Sequence, residues 1–169
     1  MKTRFLWLFP LVLSAVQSQS APDPHMLKEV RHELVMLPDV NIFDNLEFKV
    51  DGNTVTLMGQ VTNPVVKSEA GNVVKHVEGV GQVINQIEVL PLSPNDQEIR
   101  RATYLALVRQ PQLQLYFTQS LPPIRIIVKN GNVTLEGVVS SKADSDLVKL
   151  TANTVPGVFG VTNNLRIEK

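Results

Sequence analysis

Four arginines and a run of apolar and aromatic side chains carry the most suggestive chemistry in this sequence. Arg100, Arg101, Arg109 and Arg125 fall within one stretch of chain, interleaved with Leu115, Tyr116, Phe117 and Leu121. A planar guanidinium forks onto phosphate oxygens through paired N–H donors. An aromatic-rich loop with few charges suits a lipid headgroup boundary or a protein partner. For the apolar part, Leu113 to Pro123, two readings stand side by side: a surface for a membrane or partner, or packing against the rest of the chain. For Arg100, Arg101 and Arg109 the plainer alternative is a solvated helix face. Ile42 and Phe43 are a weaker version of the same apolar segment.

Other reactive residue types form no pattern. His25 and His32 stand seven residues apart, about 10 Å along a helix and too far to share a metal directly. His76 belongs to a different segment, so all three read as surface histidines and no metal site is expected. Gly79-Val80-Gly81 resembles a phosphate loop only in composition. Such loops follow a strand and open a helix, whereas these glycines follow a helix and open a strand, as a helix C-cap does. Asp and Glu are scattered and no serine sits in a nucleophile elbow, so neither a catalytic residue nor a cofactor is expected. Asn85 and Asn163 recur at matching strand positions, where a hydrogen bond to nearby backbone is the simpler role.

Composition narrows the classes further. The 16 basic and 16 acidic side chains balance, which leaves no electrostatic footprint for nucleic acid. Cysteine is absent, excluding disulfides, zinc–thiolate sites, cysteine nucleophiles and a lipid-modified N-terminal cysteine. Of the 169 residues 43% are hydrophobic, enough for a packed core in one domain or two small ones.

These side chains must be positioned by elements that the apolar spacing predicts. Met26, Leu27, Val30, Leu34 and Leu37 recur at helical intervals and Pro38 stops the helix. Leu46, Phe48 and Val50 alternate with Glu47 and Lys49 as a half-buried strand. Asp51-Gly52-Asn53 is a hairpin turn, and Val55, Leu57 and Gly59 form the return strand. Asn63-Pro64 caps and opens a second helix with Val66, Ala70, Val73, Val74 and Val77 inward. A single last strand, with Val83, Asn85, Ile87 and Val89 on one face, closes the unit. Gly71 sits inside the second helix at a cost of about 1 kcal/mol relative to Ala, either to admit a close neighbour or as a tolerated defect.

The pattern then repeats. Val55-Thr56-Leu57-Met58-Gly59 matches Val133-Thr134-Leu135-Glu136-Gly137, and Val77-Glu78-Gly79-Val80 matches Val155-Pro156-Gly157-Val158, each 78 positions on. The second copy reads as a helix capped by Ser93-Pro94 with Ile99, Ala102, Leu105 and Ala106 inward, a stripe that Arg109 extends. A hairpin through Asn130-Gly131-Asn132 follows, then a helix from Ser141 with Asp144 as a capping box, and a strand from Val158 to Ile167. Its connection between first helix and first strand is longer: 19 positions from Pro111 to Asn130, against 13 from Pro38 to Asp51. The expected fold class is α+β: two tandem α-β-β-α-β modules, each a three-stranded sheet covered by two helices. They would span 26–90 and 96–168, joined by a short linker at 91–95 that holds them close and could leave them packed together.

Residues 1–20 read as a signal peptide. Met1-Lys2-Thr3-Arg4 is a basic n-region, Phe5 to Val16 is apolar, and Ser18-Gln19-Ser20 supplies small residues before a cleavage point. The alternative is an uncleaved anchor, although the run is short for a membrane span of about 20 residues. Export makes the protein periplasmic, or secreted.

The ordered motifs V-T-L-x-G-x-V and V-x-G-V-x-x-V-x-N-x-I/L, present twice, resemble the BON domain (bacterial OsmY and nodulation) in its tandem, periplasmic, OsmY-like form. Gly59, Gly79, Gly137 and Gly157 are its structural positions here. The resemblance implies an α-β-β-α-β fold and a non-catalytic role in envelope maintenance or osmotic stress. It also implies contact with an anionic phospholipid surface, peripheral and reversible because no acyl chain anchors it. The alternative is a protein-interaction or chaperone-like module with an envelope protein as partner and no lipid role. Neither nucleic acid nor a small-molecule substrate is implied.

Overall fold

Helix starts follow from short polar side chains placed ahead of proline. Asp23 accepts from the His25 amide before α1 (Pro24–Val35), and Asn63 does the same for Val65 before α2 (Pro64–Lys75). The proline in each first turn has no N–H that would need a partner. The computed structural model describes residues 23–119 and 122–168. The expected signal peptide at 1–20, and Leu121, lie outside them.

Between α1 and α2 runs a hairpin, β1 (Asn45–Asp51) and β2 (Thr54–Val61), paired antiparallel. The last strand does not form as one piece. It is divided into β3 (Gln82–Asn85) and β4 (Glu88–Val89), both parallel to β2, which is the centre of the sheet. Asn85 causes the break. Its Nδ2 donates to Lys67 O at 2.7 Å and its Oδ1 accepts from the Ile87 amide, so the chain dips toward α2 and buries Ile87. Gly71 makes room for this: a Cβ there would lie 2.9 Å from Asn85 Nδ2.

The second module repeats the plan with additions. Its elements are α3 (Pro94–Val108), a 3-10 turn at Pro111–Leu113, α4 (Gln114–Phe117), β5 (Ile124–Lys129), β6 (Asn132–Val139), α5 (Lys142–Asn153), β7 (Gly160–Asn163) and β8 (Arg166–Ile167). Ser93 and Ser141 cap α3 and α5. Asn163 repeats the role of Asn85, donating to Ser145 O and accepting from the Leu165 amide. Each module is thus α-β-β-α-β with the third strand in two pieces.

The inner faces match the hydrophobic pattern closely in the first module, where Met26, Val30 and Leu34 meet Val55, Leu57, Val61, Val66, Ala70 and Val74. Gly59 and Gly137 are fixed by the hairpins. At φ of 104° and 119°, a Cβ would come within 2.1 Å of Asn45 O and 1.9 Å of Pro123 O. Gly79 and Gly157 also have positive φ, but they are not helix C-caps as expected. His76 and Thr154 cap the helices, and Gly79 lies in the following turn, closed by Val80 N to Val77 O.

α3 is rotated from the expectation. Its buried residues are Asp96, Ile99, Arg100, Thr103 and Leu107, while Leu105 is 43% exposed. Polar contacts to the β5–β6 hairpin decide this. Asp96 accepts from the amides of Asn130 and Gly131 at 2.9 and 2.8 Å, and Arg100 donates to Val128 O at 2.7 Å. Once buried, both side chains are held where their partners are.

The modules dock through the loop before β1. Asp44, buried, accepts from the amides of Asn41 and Thr62 and from the Thr62 hydroxyl. The turn so fixed presents its carbonyls to β5: Ile42 O accepts from Ile126 N at 2.9 Å, and Asn41 O from Arg125 at 3.2 Å. Ile42 and Phe43 pack against the core of the second module. Lys129 bridges to Glu88. Ile127 alternates with the helix-facing Ile126 and Val128 and so points away from α3 and α5, yet it is only 4% exposed. With Arg125 and Lys129 on that face tied to the first module, the second sheet has helices on one side and the first module against the other.

Candidate binding surface

Of the eight residues singled out from the sequence, the seven that lie among the described residues separate into two groups. Arg100 does not belong to a surface: it is 4% exposed and its guanidinium is tied to Val128 O and Gln97. Burial lowers its pKa from the ordinary arginine value, and the nearby charges of Asp96 and Asp44 oppose that shift. Arg125 is half-buried at the module contact. Burial lowers its pKa as well, again opposed by Asp44.

Tyr116 and Phe117 are likewise structural. The Tyr116 hydroxyl donates to Asp144 Oδ2 at 2.9 Å and accepts from the Ser140 amide at 2.8 Å, tying α4 to the start of α5. Phe117 meets Tyr104 edge to face at 5.9 Å, and Tyr104 meets Phe43 the same way at 6.4 Å. This aromatic line runs from the inserted segment to the first module, and Leu113 is fully buried beneath it. Ile42 and Phe43, expected as a weaker surface, are therefore part of the module contact.

Arg101, Arg109 and Leu115 remain outward. Arg101 is exposed on α3 and Arg109 at its C-cap, with Leu105 between them, each step four residues and so on one side of the helix. Leu115 projects from α4 at 77% exposure. Leu105, expected inward from its spacing to Ile99 and Ala102, faces outward, because that spacing fits either face of α3 equally well.

The arrangement offers a basic and apolar face rather than reacting groups. Among the described residues no group of three or more His, Cys, Asp or Glu side chains is placed to hold a metal. No described helix is long and apolar enough to cross a membrane.

Two docked α-β-β-α-β units with an exposed arginine–leucine helix face define a tandem-module α+β protein. The BON domain matches residues 23–91 and again 95–169. The chain belongs to the BON-domain family, as a tandem, OsmY-like member. It is 29% identical to osmotically-inducible protein Y of Escherichia coli (strain K12) over 139 residues, 81% of this chain. It spans 66% of that relative's length, slightly under two thirds. Among solved structures the chain is similar to the C-terminal domain of CdsD, a structural protein of the type III secretion system of Chlamydia trachomatis. That match has 13% identity and a TM-score of 0.31, covering 88% of this chain and all 100% of the other. A second CdsD structure is 14% identical with a TM-score of 0.30, covering 85% and 93%.

Proposed function

We propose that the protein is a periplasmic, non-catalytic binding protein of the osmotically stressed envelope that associates peripherally with anionic phospholipid. The contact face is Arg101, Leu105 and Arg109 of α3 with Leu115 of α4. The observation that carries this reading is the exposed Arg–Leu–Arg line on one helix face, with a second leucine projecting from the adjoining helix. Guanidinium groups engage lipid phosphates while the leucines reach the acyl boundary. Each arginine near an anionic surface contributes about 1 kcal/mol, falling off within a Debye length. Because the chain's charges balance overall, recruitment rests on this local patch. The OsmY-like relationship supports the envelope and osmotic-stress setting.

Co-sedimentation with phosphatidylglycerol-containing and with neutral vesicles, across a salt series, tests the reading. Binding is expected to anionic vesicles only, to weaken with salt, and to be lost in the Arg101→Glu/Arg109→Glu double variant with its melting temperature unchanged. Absence of binding at low salt, or binding indifferent to the double variant, overturns the lipid assignment.

A further inference from the structure

A second recognition feature lies away from α3 and α4, in the cleft where the two modules diverge. The cleft has a volume of about 910 Å³ and is lined from both modules, within the range of sites that hold ligands. One wall is β1 itself, through Asn45, Leu46, Glu47 and Phe48; Val138 and Ile167 lie opposite. β1 is the edge of its sheet. Among the described residues no segment hydrogen-bonds to it from its outer side.

The same protein shows what its edge strands accept. β5 is the counterpart of β1 in the second module, and it already carries a non-strand segment on its outer side, Asn41 to Phe43, through Ile126 N to Ile42 O. That segment gives one backbone hydrogen bond and two apolar side chains packed on the neighbouring core. β1 offers the same kind of edge beside a cleft whose apolar residues Val35 and Ile167 are exposed. The cleft is also continuous with the module contact, since Asp44 and Arg125 line it too. Its charged lining has both signs, with Arg31 and Arg166 against Glu47 and Glu168.

We propose that the cleft binds an extended polypeptide segment by strand addition to β1. The occupant is a stretch of alternating apolar and polar residues with charges of both signs. Main-chain hydrogen bonds supply affinity, and pockets for alternate side chains supply selectivity. Asn45 to Phe48 spans roughly 10 Å at the usual strand rise, so about three to four residues of the occupant pair with β1. This site is separate from the proposed lipid face, and either can fail without the other.

The test is amide hydrogen exchange of the intact protein with a blocked hexapeptide, Lys-Ile-Thr-Phe-Thr-Glu. A second peptide of the same sequence, N-methylated at every backbone nitrogen, keeps the charges and apolar residues but lacks the amides for a ladder. The first peptide is expected to slow exchange over 45–48 and the second to leave it unchanged. Ile167→Lys, on an exposed residue of the opposite wall, is expected to weaken binding roughly tenfold. The proposal is overturned by no slowing at millimolar peptide, by equal binding of the two peptides, or by slowing confined to 124–129. It is also overturned if 45–48 is already protected in a concentration-dependent way without peptide, which would make a second copy of the chain the occupant.

Discussion

The carbonyl of Ile42 accepts a hydrogen bond from the amide of Ile126 at 2.9 Å, joining a loop of the first module to the edge strand of the second. An uncovered strand edge is a template for unwanted pairing, and here the neighbouring module covers it. With Phe43 reaching the aromatic line of the second core, the second module is completed by the first. A tandem repeat of equal units becomes one asymmetric body.

Asp44 fastens that loop. Asp44→Ala removes the acceptor for the amides of Asn41 and Thr62 and for the Thr62 hydroxyl. A loss of about 2–4 kcal/mol is expected in urea denaturation. Asp44→Asn keeps the shape and part of the bonding, so its loss is expected to be smaller.

Phe43→Ala is expected to cost about 2 kcal/mol, since the ring is half-buried and stacked edge to face on Tyr104. The place of the loss is more diagnostic than its size. Amide exchange is expected to quicken in α3 and β5, although the substitution lies in the first module. Phe48→Ala, in the first core, is expected to quicken exchange in β1 and β2 instead.

Much of this was legible in the sequence where the signal is local. Caps at Asn63, Ser93 and Ser141 and turns at Gly52 and Gly131 follow from conformational preferences confined to a few residues. The duplicated V-T-L-x-G block located both hairpins. Three features were not legible. Arg100 sits on a helix whose apolar spacing admits two inward faces, and the choice depends on Val128 and the Asn130–Gly131 turn, remote in sequence. Asp44 looks like any loop acid until Thr62 is beside it. The strand break at Asn85 depends on an acceptor, Lys67 O, on another helix. Of the candidate residues, the outward positions of Arg101 and Leu115 were readable. Tyr116 and Phe117 were not, because their partners Asp144 and Tyr104 belong to other elements.

Neighbouring arginines on α3 are expected to behave oppositely. Arg100→Glu places an acid beside Asp96 with Val128 O left without its donor, a loss of about 3–5 kcal/mol. Asp96→Ala strands the Asn130 and Gly131 amides and is expected to cost about 2–3 kcal/mol. Arg101→Glu, on the exposed side, is expected to change stability by no more than about 0.5 kcal/mol. Thermal melts of the three variants separate fold from surface before any vesicle experiment.

Gly137→Ala is expected to cost about 3 kcal/mol or more. The residue has φ of 119°, and the added Cβ meets the Pro123 carbonyl oxygen at 1.9 Å. Soluble yield and urea midpoint report it, with Ala143→Gly, at an exposed position in the first turn of α5, as a control costing less than about 1 kcal/mol.

The most direct measurement is hydrogen exchange at the Ile126 amide in the intact protein and in Asp44→Ala. Exchange there is expected to be as slow as at its β5 neighbours, and to accelerate selectively in the variant while the β5–β6 ladder stays protected. Fast exchange at Ile126 in the unaltered protein would contradict the account, because the first module would then not be covering the second module's edge.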